Sequence, residues 1–561
     1  MKIRKGALGV AWCAMAAGAG QSAVAADAPA LGAGSLLQQV PQSQPLSPGR
    51  NIEALPRPAE QEQYSDTKPF LVRRFVIEGN TVYSTEKLHA LIADQEGQPM
   101  GLAGLMTVAQ RISDHYQNHG YSLTRAIIPA QKIVNGVVRV QVVEARLGRV
   151  RLKNKSIIEP DVLQGIVNGA LTRGELIMQD GVERAILLLT DLPGLTAESL
   201  VKPGGRVGES DLDIDTKPAG DSPLTGRGML DTAGNAYTGR NRLSTNLNWL
   251  NPLHRGDVAS VNTLSTGSGL SYTNFSYEGV ALPGGSRAGA SLSNMNYNLG
   301  GAAQASGSHG TAQVMSAWFK YPWIRSLNQN VAFQVQADRT QLEDDIDASN
   351  TTNKRHLSAF VFSATGDRTS EGRSTTWRVA GTTGSLAFDD ADAQASDLAS
   401  AYTQGNFSKL SFTVMHLQTL KSGDDFFVRV TGQKSSVNLD PSQKLIVGGP
   451  NSVRAYDVSA VTGDVGLDTS FELRRNLGAL GPGRLQGLAF FDYATVNINA
   501  YPWPGAGNNS AQLAGAGVGL NWSTARNMRV KCSLATPLGG APDSVSSTSK
   551  LRAWLELSAM F

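Results

Sequence analysis

Reactive chemistry in this chain concentrates at one arginine. In "VGGPNSVRAYDVSAVTGDVG", Val447 to Gly466, Gly448 and Gly449 open a loop, and Gly463 and Asp464 close it. Between them, Ser452, Val453, Arg454, Ala455 and Tyr456 set a cation among small, apolar and aromatic neighbours. A guanidinium presents a rigid fork of donors that matches a carboxylate bidentately, so such an arginine calls for an acidic partner. The bland alternative is an arginine that merely meets water.

The other reactive residues carry less. His115 and His119 stand one helical turn apart, which could place two imidazoles together, but no third ligand accompanies them. An ordinary exposed helix face accounts for both. "DDADAQASD", Asp389 to Asp397, reads as a solvated acidic turn rather than a calcium site. H-E-x-x-H, C-x-x-C, G-x-S-x-G and G-x-x-x-x-G-K-[ST] signatures are all missing, so neither an enzyme nor a cofactor or metal is expected.

The elements that must position Arg454 come next. A chain of 561 residues implies several modules, and a net charge of +3 without a basic block excludes a nucleic-acid partner. Lys2, Arg4 and Lys5 precede an apolar run from Ala7 to Ala17 and a small-residue site at Ala23-Val24-Ala25. This is the pattern of a secretory signal peptide over 1–25. Residues 26–68 form a Gln/Pro-rich lead that reads as a linker, in which "GSLLQQV" could make a short helix over 35–40.

From 69 to 146 the texture becomes that of a small α+β domain. "FLVRRFVIEGN" predicts a strand, Ser84 caps a helix, and Leu105, Val108, Ile112 and Tyr116 share one face of a second helix. Two β-rich runs close the unit. The same β-α-α-β-β order repeats over 147–218. Tandem modules of this kind suit docking surfaces better than an enzyme core.

Beyond 219 the helical signals stop, and short alternating segments separated by Gly, Asn, Asp and Ser continue to the end. "DDFFVRVTGQ" sets Phe426, Val428 and Val430 against Arg429, Thr431 and Gln433. "GASLSNMNYNL" alternates poorly. No stretch reaches the roughly 18 apolar residues of a membrane helix, so a membrane-inserted chain must be a barrel. About sixteen antiparallel strands over 219–561 fit, at roughly 21 residues per strand and turn. Cys532 falls on an apolar strand face and behaves there as a small hydrophobe. The last strand, "KLRAWLELSAMF", aligns Leu551, Ala553, Leu555, Leu557, Ala559 and Phe561 on one face. It resembles the assembly signal of Gram-negative outer-membrane barrels.

Signal peptide, lead, tandem modules, barrel and terminal Phe561 together resemble the two-partner secretion transporters. These are the haemolysin secretion/activation and filamentous-haemagglutinin transporter proteins, whose periplasmic modules are POTRA domains. The resemblance spans the mature chain, and the opening loop matches the family's V-R-G-[YF] loop, which folds back into the barrel over 447–466. It implies that Arg454 pairs with an inward aspartate of an F-x-D motif, here Phe490-Phe491-Asp492, and strand alternation puts Phe490 and Asp492 on one face. Glu472 in "LDTSFELRR" is a secondary acid. Ala455 departs from the family's glycine, and alanine there is strained if the position needs positive φ.

The resemblance further implies a non-enzymatic transporter in the outer membrane of a Gram-negative bacterium, with its modules in the periplasm. The implied partners are a secreted exoprotein client, outer-membrane lipid, and the barrel-assembly machinery and periplasmic chaperones during biogenesis. The short helix becomes a candidate plug. The alternatives are a barrel insertase or a passive diffusion porin.

Overall fold

The computed structural model describes residues 31–40, 68–525, 527–540, 542, 545 and 549–561. The expected signal peptide lies outside the described residues, as does most of the lead; its described part contains α1, Ala33–Leu37.

The first module comprises β1 (Phe70–Leu71), β2 (Arg74–Glu78), α2 (Thr85–Ala90), β3 (Pro99–Met100), α3 (Leu102–Asn118), β4 (Arg125–Ile127) and β5 (Val137–Val143). Its main sheet runs β2-β5-β4, parallel then antiparallel, with β1 and β3 as a small separate ribbon. Ser84 caps α2 by accepting from the Lys87 backbone N–H at 3.3 Å. Leu105, Val108, Ile112 and Tyr116 of α3 recur every three or four residues and bury against Phe75, Ile77, Val138 and Val140. Each side chain so buried stabilises by about 1.5–3 kcal/mol. Glu144 pins the end of β5: it accepts from the backbone N–H of Thr81 (2.7 Å) and Val82 (3.0 Å), from Tyr116 Oη (2.8 Å), and from the Thr81 hydroxyl. Burial alone would raise this carboxyl, but the Thr81 hydroxyl and the two N–H groups outweigh it and hold the group below its ordinary range.

The second module, β6 (Arg146–Asn154), α4 (Pro160–Ala170), α5 (Gln179–Thr190), β7 (Leu195–Pro203) and β8 (Glu209–Pro218), repeats the plan with sheet order β6-β8-β7. Leu163, Ile166, Ile186 and Leu189 from its helices pack on Leu212 and Ile214. Lys202 and Arg151, at 2.7 and 2.8 Å, hold the Asp213 carboxyl down at about 2.

Sixteen antiparallel strands then close a barrel. They are β9 (Leu224–Asp231), β10 (Arg242–Leu250), β11 (Val258–Ser265), β12 (Leu270–Leu282), β13 (Ser286–Asn298), β14 (Ser308–Arg325), β15 (Gln329–Ile346) and β16 (Thr351–Ser370). There follow β17 (Arg373–Phe388), helix α6 (Ala391–Leu398), β18 (Gly405–Thr419), β19 (Asp425–Ser435) and a small hairpin, β20 (Leu445–Val447) with β21 (Val461–Gly463). The wall resumes with β22 (Val465–Leu480), β23 (Gly483–Asn497), β24 (Ser510–Thr524), β25 (Met528–Pro537) and β26 (Arg552–Met560), which pairs with β9. Alternation sorts the faces: Leu555 and Phe561 are exposed outside while Trp554 and Ser558 are buried inside. Cys532 is exposed on the outer face.

Helix α6 departs from the expected acidic turn. Asp390 caps it by accepting from the N–H groups of Asp392 and Ala393, each at 2.9 Å. Asp397 turns back to accept from Thr403 and Gln404. Asp390 and Asp397 thus satisfy backbone donors, Asp389 meets the His356 ring, and among the described residues no group of three metal-ligating side chains exists. His115 and His119 do lie together, ring centroids 4.4 Å apart, beside Tyr83.

The second module seats directly on the short turns of the near rim. Arg325, buried at the end of β14, forms a bidentate pair with Asp191, both contacts 2.7 Å. Arg184 donates to the Pro322 and Trp323 carbonyls, and Asn251 to the Pro193 carbonyl. Backbones meet closely: a Cβ added to Gly169 of α4 would lie 2.5 Å from Gly284 N.

Candidate functional site: the inward loop and its charge cluster

The chain leaves β19 and does not return at once to the wall. Pro441–Gln443 make a 3-10 turn, and the β20/β21 hairpin then carries residues 448–460 into the lumen. Gly448 and Gly449, at φ 99° and 98°, make the reversal that L side chains resist. The Ser452 hydroxyl accepts from Gly448 N–H at 3.0 Å, and Ser452 N–H donates to the Gly449 carbonyl at 3.1 Å. Val453, Ala455 and Tyr456 bury against Phe490, Ala494, Val496 and Leu513 of the wall.

That packing aims Arg454 at the wall. Its Nε and Nη2 donate to the two oxygens of Asp492 at 2.8 and 2.7 Å, and its backbone N–H reaches Asp492 at 3.1 Å. Nη1 donates to Glu472 at 2.7 Å, and Nη2 also donates to the Ser470 hydroxyl at 2.9 Å. The guanidinium lies 3.5 Å from the centroid of the Phe490 ring, a cation–π contact. Asp492 is 0% exposed and Arg454 8%. The structure therefore brings together Arg454, Asp492, Glu472 and Phe490, with Glu472 a full ligand of the guanidinium rather than a distant second.

Asp464, also fully buried, staples the ends of the loop. It pairs with Lys444 at 3.1 Å and accepts from Leu439 N–H and Ala500 N–H. An added Cβ on Gly463 would sit 2.7 Å from the Asn497 carbonyl, so the chain needs glycine where it rejoins the wall. Phe561 lies apart from this site. It exchanges backbone hydrogen bonds with Gly226 at 2.8 and 3.0 Å, closing the barrel seam.

Ala455 is not strained. The non-glycine residue with positive φ in this loop is Ser459 (58°). The Ala455 methyl instead faces Gly515 of β24, where an added Cβ would come within 2.6 Å of it. A methyl gained on the loop is matched by one absent from the wall.

Several partners were not legible beforehand. Trp554 Nε1 donates to the Arg454 carbonyl at 2.7 Å, and Arg474 pairs with the second oxygen of Glu472 at 2.6 Å. Asp457 is gripped by Arg240 at 2.6 Å and by Arg552, which ties the loop to β26 and the first far-rim loop. Ser470 shares the inward parity of Asp468 and Glu472, so strand alternation could have found it. The Asp457 partners are distant in the sequence and carry no local signal.

Helix α1 lies in the same lumen toward the far rim. Leu36 is fully buried among inward Leu264, Met295, Tyr297, Leu342 and Leu357. Ala33 N–H donates to Asp344 at 2.6 Å, Gln38 to the Pro441 carbonyl at 2.6 Å, and Arg242 to the Gln39 carbonyl at 3.0 Å. Beneath it Arg355 bridges Asp344 (2.7 Å) and Asp440 (2.6 Å).

Comparison with known proteins agrees with this architecture. Residues 70–145 match the ShlB-type POTRA domain, and residues 208–522 match the haemolysin secretion/activation protein ShlB/FhaC/HecB. The heme/hemopexin transporter protein HuxB of Haemophilus influenzae strain 86-028NP is 26% identical over 85% of this chain and 84% of its own length. CdiB from Escherichia coli has the same fold, with TM-score 0.69, 21% identity, and coverage of 90% of this chain and 93% of that one. BamA from Haemophilus ducreyi lacking POTRA domains 1–3 aligns with TM-score 0.52 and 12% identity over 88% of this chain and all of that one. The chain belongs to the haemolysin secretion/activation protein family ShlB/FhaC/HecB, and is a non-enzymatic two-partner secretion transporter of the outer membrane with its POTRA region in the periplasm.

Proposed function

We propose that the Arg454 loop is a lock that keeps the lumen narrowed and that α1 is a separate plug in the same conduit. The client, an extended exoprotein, is caught by the periplasmic modules through strand addition at a free sheet edge, β2 or β4 in the first module and β6 or β7 in the second. Exposed Ile127 beside β4's free edge and Leu200 on β7 offer apolar contacts for alternate client side chains. The client then threads the barrel after α1 withdraws, and its folding outside the cell supplies the drive. Barrel-assembly machinery and periplasmic chaperones act earlier, in biogenesis, on the strand that closes the seam.

The observation that carries this reading is the Arg454 cluster: one cation on a loop tip satisfied by two carboxylates, a hydroxyl and an aromatic face of the wall. The relatives HuxB and CdiB carry transporter names, and the heme/hemopexin label of HuxB makes a heme- or hemopexin-binding exoprotein one client to test first. The test is secretion of a co-expressed partner exoprotein, with and without residues 69–218. Full secretion by the truncated barrel would overturn capture by the modules.

A further inference from the structure

The outer face of the barrel carries an open hollow of about 480 Å³ where β16, β17, β18 and β19 pass one another. Phe362 and Leu410 wall it, and Gly381 forms its floor between them, in one lateral row that ends on Lys434. Phe362 and Leu410 are each more than half exposed, and a Cβ added at Gly381 would meet no atom within 4 Å. The missing side chain creates the hollow, and no described residue fills it.

Its place along the strands is informative. Below the row, toward the modules, outward positions are apolar: Val379, Phe412 and Val430. Above it, β16 still carries an outward Phe360, but the outward residues of β17, β18 and the turn after β19 are Thr383, Ser408 and Ser436, which also line the hollow. The apolar-to-hydroxyl change marks the edge of the hydrocarbon layer. Because the modules hang from the opposite rim, this edge belongs to the outer leaflet. Lys434 stands on that edge, exposed and without a carboxylate partner among the described residues, whereas Lys354, higher up, is neutralised by Glu343 at 2.7 Å.

We propose that this hollow is a binding site for a phosphorylated lipid of the outer leaflet. One acyl chain lies over Gly381 between Phe362 and Leu410, and the phosphate meets the Lys434 ammonium and the hydroxyl row. An uncompensated cation at the boundary favours an anionic headgroup over a zwitterionic one, and an ammonium with three donors suits phosphate as a point charge. The site is independent of the Arg454 cluster, which faces the lumen.

The full chain, purified and reconstituted in nanodiscs of phosphatidylcholine with one-tenth phosphatidylglycerol, is released by detergent into native mass spectrometry. The wild type is expected to retain phosphatidylglycerol at least threefold above its share. Lys434→Glu should abolish that enrichment, Lys434→Arg should keep it, and Gly381→Leu should abolish it with the charge unchanged by filling the hollow. Free glycerol phosphate in excess should not compete, since it lacks the acyl chain; competition would reassign the site to a soluble phosphate and overturn the lipid reading. Equal retention by wild type, Lys434→Glu and Gly381→Leu would also overturn it. Each variant is first checked for the heat-modifiable mobility of a closed barrel, and Gly381→Ala, a single methyl into open space, replaces the leucine variant should that one fail to fold.

Discussion

The two occupants of the lumen are held by opposite logics. The loop brings its own charge to the wall: Arg454 is the cationic partner of Asp492, and it shares Glu472 with Arg474. Helix α1 brings no charge. Its seat contains a buried ion network in which Arg355 is shared by Asp344 and Asp440, and none of the three residues belongs to the helix. Withdrawing the helix would wet the network without unpairing it, and would expose Leu36, its apolar neighbours and some backbone groups, but no unpaired charge. Withdrawing the loop would strand Asp492, left with only the Ser470 hydroxyl, while Glu472 would keep Arg474. A buried charge left without its partner costs on the order of 3–5 kcal/mol, whereas wetting a pair that stays intact costs far less. The plug is thus the removable occupant and the loop the persistent one.

Arg454→Ala or Asp492→Ala should cut exoprotein secretion more than tenfold and alter single-channel conductance, with the barrel still inserted. Arg454→Lys should behave nearly as badly, because an ammonium cannot hold Asp492 in a fork and reach Glu472 as well. Normal secretion and conductance in all three would remove the lock. Deleting residues 33–37 should raise conductance several-fold yet leave the thermal midpoint of the barrel within a few degrees; a large loss of stability would show that the plug is structural. Gly515→Ala should destabilise by about 1–3 kcal/mol through overpacking against Ala455, and Ala455→Gly in the same chain should restore the loss. A chemical-denaturation series on the three variants decides this.

The smallest effect lies outside the barrel. Glu144 has a folded value below its unfolded one, so its stabilisation is complete above the ordinary carboxylate range, near pH 4.3 unfolded, and disappears as pH falls through the lower folded value. Glu144→Gln should flatten that acid limb at a cost of about 1 kcal/mol near neutrality. Amide exchange at Thr81 and Val82 across pH 2 to 7 would register it; identical profiles in both proteins would exclude Glu144 as the pin.

The legibility of these features follows their range in sequence. The barrel was legible because lipid outside and polar lumen inside impose a period of two, and Phe426, Val428 and Val430 obey it. The strand that alternated poorly, β13, does so for a reason: Met295 and Tyr297 face inward, where polar residues are expected, because α1 packs on them. Poor alternation there was the imprint of the helix packed inside. The Arg454–Asp492 pairing rested on family resemblance, with alternation allowing it, while Asp457 with Arg240 and Arg552 depends on tertiary approach alone. Ala455 looked like a defect only because Gly515, sixty positions on, could not be matched to it from a single sequence.

The docking of the second module has a consequence for how such chains can diverge. Arg325, Asn251 and Gly284 all sit in or beside near-rim turns, and each meets a fixed point on α4, α5 or the turn after it. A residue inserted in any of these turns would pull an ion pair apart or drive two backbones together. Among the described residues the far rim has no such docked module. Length variation among natural variants of this chain should therefore accumulate on the rim facing the environment, and the near-rim turns should keep their lengths even where their side chains drift.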